Sequence, residues 1–175
     1  KITSKAGLSG TAAPNAVIKF TVDGTQATAT ATADANGNWS FNPSALADGQ
    51  HTIVATQTDT AGNSSSSSLT FTLDSTAPVV TASPMATLAM AAPLGATAIT
   101  PSGVSGTGEA NGTVNLSVDG TASGTTTTDA SGNWSYNPTG LTAGTHTITA
   151  SQTDLAGNTG SASASLSVAA LPPTV

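Results

Sequence analysis

The chain has 175 residues with three Lys, no Arg, nine acids and two His, for a net charge of −6. Charged residues make up 7%, against about 25% in ordinary soluble domains, and Ser plus Thr take their place at roughly a third of the chain. So few cations cannot neutralise a phosphate backbone, the absence of Cys excludes disulfides, thiolate zinc clusters and redox pairs, and no apolar run reaches the ~18 residues of a membrane-spanning helix.

Leu, Ile, Val and Phe together fall below about a fifth, which signals disorder only when net charge is also high. Here the charge is low, and the Val and Thr content favours strands. The opening KITSKAGLSG lacks the apolar centre of a signal peptide. It runs straight into patterned sequence and reads as a piece of something longer.

In chain order, Ile18, Phe20 and Val22 alternate with Lys19 and Thr21, the period-two pattern of a half-buried strand. Asp23-Gly24 follows as a turn. Trp39 and Phe41 share one face after Asn36-Gly37-Asn38. Asp48-Gly49 precedes a strand with His51, Ile53 and Ala55 on one side. Ala61-Gly62-Asn63 turns into Ser64–Ser68, an exposed edge strand, and Leu69, Phe71 and Leu73 close the domain. Residues 75–103 then carry an odd apolar stretch around Met85–Leu94. They read as a first strand plus a loop, and Thr87–Leu94 has room for one short helical turn. Seven strands are predicted beyond the junction: Pro78–Ala82, Val104–Gly108, Thr113–Val118, Gly124–Thr128, Asn133–Tyr136, His146–Thr153 and Ser161–Val168.

The second series copies the first. GLSGTAAPNAVIKFTVDGT (Gly7–Thr25) matches GVSGTGEANGTVNLSVDGT (Gly103–Thr121), and Asp34–Asn63 matches Asp129–Asn158 with two-thirds identity. The offset drops from 96 to 95 between the blocks, so the second copy lacks one residue before Asp129. A domain-length offset means two homologous domains, not a solenoid. The expected fold is all-β: tandem immunoglobulin-like sandwiches at 1–75 and 76–175, about seven strands each, the first lacking part of its first strand.

SGTAxPN, VDG, DANGNWSFNP, L-x-DG-x-HT, D-x-AGN and the closing LDSTAP resemble bacterial immunoglobulin-like repeats of large secreted surface adhesins. The resemblance covers nearly the whole chain and rests most on D-x-x-GNWS combined with D-x-AGN. It implies export to the bacterial surface, where such repeats hold a distal adhesive region away from the cell. It also implies calcium at domain junctions.

Calcium takes six to eight oxygens. If successive strands alternate in direction, the loops Glu109–Gly112, Asp129–Asn133 and Asp154–Asn158 gather where the second domain's first strand begins. Asp74 of the linker should then approach Glu109, Asp129 and Asp154, and a cation would offset their repulsion. Asp34 and Asp59 are weaker candidates, because Ala13 stands where the second copy has Glu109. At the second domain's exit, Ala169 stands where the first has Asp74. The competing reading makes all these acids turn residues, since Asp and Asn before Gly cap turns. Asp23 and Asp119 read as turn formers. His51 and His146, at matched strand positions, read as structural, and Trp39 and Trp134 as core.

No nucleophile–base constellation appears, so no enzymatic activity is expected. A structural extender is the leading reading. The alternatives are a carbohydrate- or protein-binding module and an accessory domain of a secreted enzyme, although one Tyr and two Trp give little material for a stacking platform. The expected partners are neighbouring repeats of the same chain, with no nucleic acid and no membrane insertion, and the expected state is a monomer.

Overall fold

The computed structural model describes residues 1–85 and 103–168. Thr87–Leu94 and Ala169 lie outside the described residues. The described chain is all strand and turn, in two compact units, one of Lys1–Thr76 with Leu155–Gly157 and the other of Ala77–Asp154 with the residues from Asn158 onward.

The first unit contains β1 (Ile2–Thr3), β2 (Leu8–Thr11), β3 (Val17–Val22), β4 (Thr25–Thr32), β5 (Asn38–Phe41), β6 (Gly49–Thr58) and β7 (Ser64–Leu73). One sheet runs β1-β7-β6-β3-β4 and the other pairs β2 with β5. The expected partial first strand is the two-residue β1. It pairs parallel with the end of β7, Ile2 opposite Thr72.

The second unit contains β8 (Ser83–Pro84), β9 (Val104–Thr107), β10 (Thr113–Val118), β11 (Thr121–Thr127), β12 (Asn133–Tyr136), β13 (Gly144–Thr153) and β14 (Thr159–Val168). Its sheets run β11-β10-β13-β14 and β12-β9-β8. The sequence places the first strand at Pro78–Ala82, but regular pairing is found at Ser83–Pro84. Thr81 N–H already donates to the Thr107 carbonyl (2.9 Å), and Met85 N–H to that of Gly103 (2.9 Å). Prolines at 78 and 84 supply no N–H to the ladder, which keeps the paired stretch short.

Period-two burial builds each core. Ile18, Phe20, Phe41, Ile53, Phe71 and Leu73 fill the first, with Phe20 stacked on Phe41 at 3.8 Å between centroids. Val104, Val114, Leu116, Trp134, Ile148 and Leu166 fill the second. Each large aliphatic side chain so buried contributes about 1.5–3 kcal/mol. Leu69, on the face it shares with Phe71 and Leu73, is 48% exposed. One assignment to the core is corrected. Trp134 is buried, whereas Trp39 is only half-buried.

The hairpins β3–β4 and β10–β11 close on two-residue turns. Asp23 and Gly24 have φ of 50° and 80°, Asp119 and Gly120 49° and 82°. Two positive φ values give the turn whose twist matches paired strands, and Asp-Gly accepts them readily.

Candidate functional site

Four loops share the pattern Asp-x-x-Gly-Asn, and the structure gives them one geometry. In Asp34–Asn38, the Asp34 Oδ1 accepts the N–H groups of Asn36 and Asn38, both at 2.8 Å, and its Oδ2 accepts the Asn38 side-chain amide at 3.3 Å. Gly37 has φ 84°, a left-handed conformation that glycine adopts without penalty. Asp59 treats Ala61 and Asn63 the same way, with its Oδ2 2.9 Å from the Asn63 amide. Asp129 does so with Ser131 and Asn133. Asp154 takes the Asn158 N–H at 2.9 Å and its amide at 2.8 Å. Hydrogen bonds to these turns hold the carboxyls of Asp34, Asp59 and Asp129 below their ordinary values; the Asn side chain or backbone is the largest cause in each.

The remaining expected ligands act through the backbone. Glu109 is exposed. Its N–H donates to the Oε1 of Gln152 (2.7 Å), and its carbonyl accepts the Gln152 Nε2 (3.0 Å) and the Thr128 hydroxyl. Asp74 donates its N–H to the Thr3 carbonyl (3.0 Å), and its Oδ1 accepts Thr76 N–H (3.1 Å). Among the described residues, no group of three or more His, Cys, Asp or Glu is placed to hold a metal ion. Thus Glu109, Asp129 and Asp154 of the second unit do not form such a group. The turn acids close their own loops with both carboxylate oxygens.

The two His residues do come together with acids, at the opposite pole. His51 Nδ1 lies 2.8 Å from Asp23 Oδ2, and its Nε2 2.8 Å from the Ala47 carbonyl. The other oxygen, Asp23 Oδ1, accepts Thr52 N–H at 2.8 Å. The second unit repeats this clasp with His146, Asp119, Thr142 and Thr147 at 2.7–2.9 Å. Both partners of each ring are acceptors, so both nitrogens must donate, and only the imidazolium does that. The hydrogen bond to Asp23, then the one to the Ala47 carbonyl, raises the His51 pKa. The Asp119 and Thr142 bonds raise that of His146 in the same order. The same bonds lower Asp23 and Asp119. The clasp fixes the loop before β6 or β13 to a hairpin tip. It leaves no ring nitrogen for a substrate.

Two groups lie outside the sequence-based assignment of functional residues. The exposed Asp48 accepts Ser75 N–H (2.8 Å) and Oγ (2.7 Å) and the Thr76 hydroxyl (2.7 Å), clamping the end of the first unit. Asp48-Gly49 looks like any turn. The signal was the paired change in the other copy, whose sequence has Ala143 in place of Asp48 and Ala170-Leu171 in place of Ser75-Thr76. Gln152 is 1% exposed and braces the Glu109 loop. Its room comes from Gly108 and Gly112, where any Cβ would strike its amide. Those positions are Ala12 and Ala16 in the first copy, where Gln57 is only half-buried and accepts Ala13 N–H at 3.1 Å.

The sequence family described as bacterial Ig-like domain matches residues 2–75 and 95–169. The chain belongs to this family. No curated protein matches it. Similar solved structures include a tetra-tandem repeat in the extending region of a large adhesion protein, 33% identical, covering 94% of this chain and 45% of that one at a TM-score of 0.42. Another is a Ca2+-stabilized adhesin that helps an Antarctic bacterium reach out and bind ice, 28% identical, covering 93% and 43% at 0.42. Fibronectin(III)-like modules of Clostridium thermocellum CbhA are 15% identical over 96% of this chain and 87% of that one, at 0.51, a likeness of fold. This Ig-like chain spans a little under half the length of the first two.

Proposed function

We propose that this pair of Ig-like domains is a load-bearing extender of a bacterial surface adhesin, without catalytic activity. The observation that carries the reading is the parallel pairing of β1 with β7. Thr72 N–H donates to the Lys1 carbonyl (2.8 Å) and Asp74 N–H to the Thr3 carbonyl (3.0 Å). Tension enters a stalk repeat before its first strand and leaves after its last. Parallel first and last strands then slide past each other, loading their hydrogen bonds together instead of one by one. The clamped turns and clasps, repeated in both units, stiffen the loops.

Single-molecule stretching of the full chain tests this. One unfolding event should resist well above the force at which hairpins unzip, and Thr72→Pro, which removes the donor to Lys1, should lower it. Equal forces for both chains would overturn the shear clamp.

Calcium stiffening is a separate part of the proposal, drawing on Asp74, Glu109, Asp129 and Asp154, and on Asp34 and Asp59. It requires the turn carboxylates to exchange amide partners for the cation. A melting temperature raised by calcium relative to chelator supports it by mass action; equal melts remove it.

A further inference from the structure

The residue missing from the second copy leaves a difference in shape. In the second unit, Leu116 faces Gly124 and Ser117 faces Ala122, so Ser123 alone bulges from β11. In the first, Lys19 faces Thr30 and Thr21 faces Gln26, so Ala27, Thr28 and Ala29 all stand opposite Phe20. A bulge takes residues out of the ladder and bends the strand. What lies behind the bulge changes with it. Tyr136 donates its hydroxyl to the Ser123 carbonyl (2.9 Å) and shares a bond with the Ser123 Oγ (2.8 Å), tying β11 to β12. A Cβ on Gly124 would come within 2.9 Å of that hydroxyl oxygen. The first unit has Phe41 in place of Tyr136 and no glycine in its bulge. Phe41 has no hydroxyl to reach across and stacks on Phe20. The bulge and the segment Phe41–Leu46 are left bordering a cavity of about 360 Å³.

We propose that this cavity binds one ring of a neutral sugar, as a free glycoside or as a unit of a polysaccharide. Its volume lies in the range of small-ligand sites, which begins at about 300 Å³. No charged side chain lines it, which suits an uncharged ligand, since a charge entering there would lose water without gaining a partner. Phe41 and Leu46 give it an apolar side for the C–H face of the ring. Gln26, Thr28, Asn42 and Ser44 bring amides and hydroxyls, groups that both donate and accept as sugar hydroxyls do. Those four residues are exposed, and among the described residues no hydrogen bond engages their side chains. Ala45, between Ser44 and Leu46, holds φ 60°, and backbone strain of this kind clusters at ligand sites. A sugar held here would give the stalk a lateral grip on glycan, in addition to its reach.

The test titrates the full chain, followed by amide NMR, with the methyl glycosides of glucose, galactose, mannose and N-acetylglucosamine. At least one should shift the amides of Gln26, Asn42 and Ala45 and saturate with a Kd on the order of 1–10 mM. The matching amides around Tyr136 should stay in place. Glycerol, a polyol without a ring, should give no such shifts. Phe41→Tyr puts a hydroxyl into the cavity and should weaken binding at least ~5-fold, and Gln26→Ala with Asn42→Ala, both at exposed positions, should do the same. A soluble polysaccharide of the responding sugar that gives the same shifts makes a polymer the source; shifts from the methyl glycoside alone make it a free or terminal sugar. No saturable shift with any of the four, equal shifts from glycerol, or full affinity in the Gln26→Ala/Asn42→Ala chain would overturn the proposal. The titration does not depend on the extender reading, so failure of one leaves the other standing.

Discussion

At the scale of single residues, the chemistry of this chain is concentrated in side chains that hold loops. The Asp–His clasps make stability pH-dependent, and the sign follows from the shifts. His51 and His146 have raised pKa values, so their contribution is full below about 6.5 and is lost as pH climbs through the folded value. Asp23 and Asp119 are lowered, so theirs is full above about 3.8 and is lost as pH falls through the folded value. Asp34, Asp48, Asp59 and Asp129 add to the acid limb. The melting temperature should therefore plateau between roughly pH 4 and 6.5 and decline on both sides. Replacing both His by Gln should flatten the decline above about pH 6.5, leaving the acid limb in place. A decline unchanged in the double variant would show that the clasps do not carry it. Gln152 gives a second prediction. Its buried amide satisfies the Glu109 N–H and carbonyl together, so Gln152→Ala should cost about 1–3 kcal/mol. Gln57→Ala, losing the one bond to Ala13 N–H that the structure shows, should cost clearly less in denaturant melts.

At the scale of elements, the strands were readable because burial follows the alternation of Ile18, Phe20 and Val22 and its copy. The turns were readable because Asp-Gly and Asn-Gly demand positive φ. What local pattern could not show was partnership across tens of residues. Asp48 looks like a turn former, and its partners stand 27 and 28 positions away. The acids of the Asp-x-x-Gly-Asn loops read from sequence either as ligands or as turn residues, and the structure shows their carboxylates accepting the loop N–H groups and the amide of the following Asn. Half-burial of Trp39 was equally hidden, since it depends on a neighbouring strand and not on Trp39 itself. One loop carries strain that the other copy avoids. Ala45 has φ 60°, where the second copy places Gly140 at 75°. A left-handed alanine costs about 1–2 kcal/mol, partly offset in glycine by a freer unfolded chain. Ala45→Gly should therefore raise stability by about 0.5–1 kcal/mol, and Gly140→Ala should lower it. A loss of stability in Ala45→Gly, measured by chemical denaturation, would mean that the loop relaxes around the methyl group.

At the scale of the molecule, two separate cores imply two separate transitions. The buried residues of the first unit and those of the second form distinct clusters, so neither core requires the other to be folded. The second should be the more stable. It has Trp134 buried with its indole N–H on the Thr107 carbonyl at 3.2 Å, a full added edge segment along β9, and the buried Gln152 brace. The first has a half-buried Trp39, an open β2 edge and the strained Ala45, set against its Phe20–Phe41 stack. Each aromatic or brace difference is worth on the order of 1 kcal/mol or more, and about 1 kcal/mol moves the melting point of a domain this size by roughly 4–8 °C. Calorimetry of the full chain should therefore resolve two transitions. A Trp134→Phe chain, whose remaining indole is Trp39, should report the lower one by fluorescence. A Trp39→Phe chain should report the upper. Trp134→Ala, costing about 3–5 kcal/mol, should bring the upper transition down to or below the lower while leaving the Trp39 signal where it was. Coincident loss of both units in every variant would make the pair one cooperative body, and the independence argued from the two cores would fail.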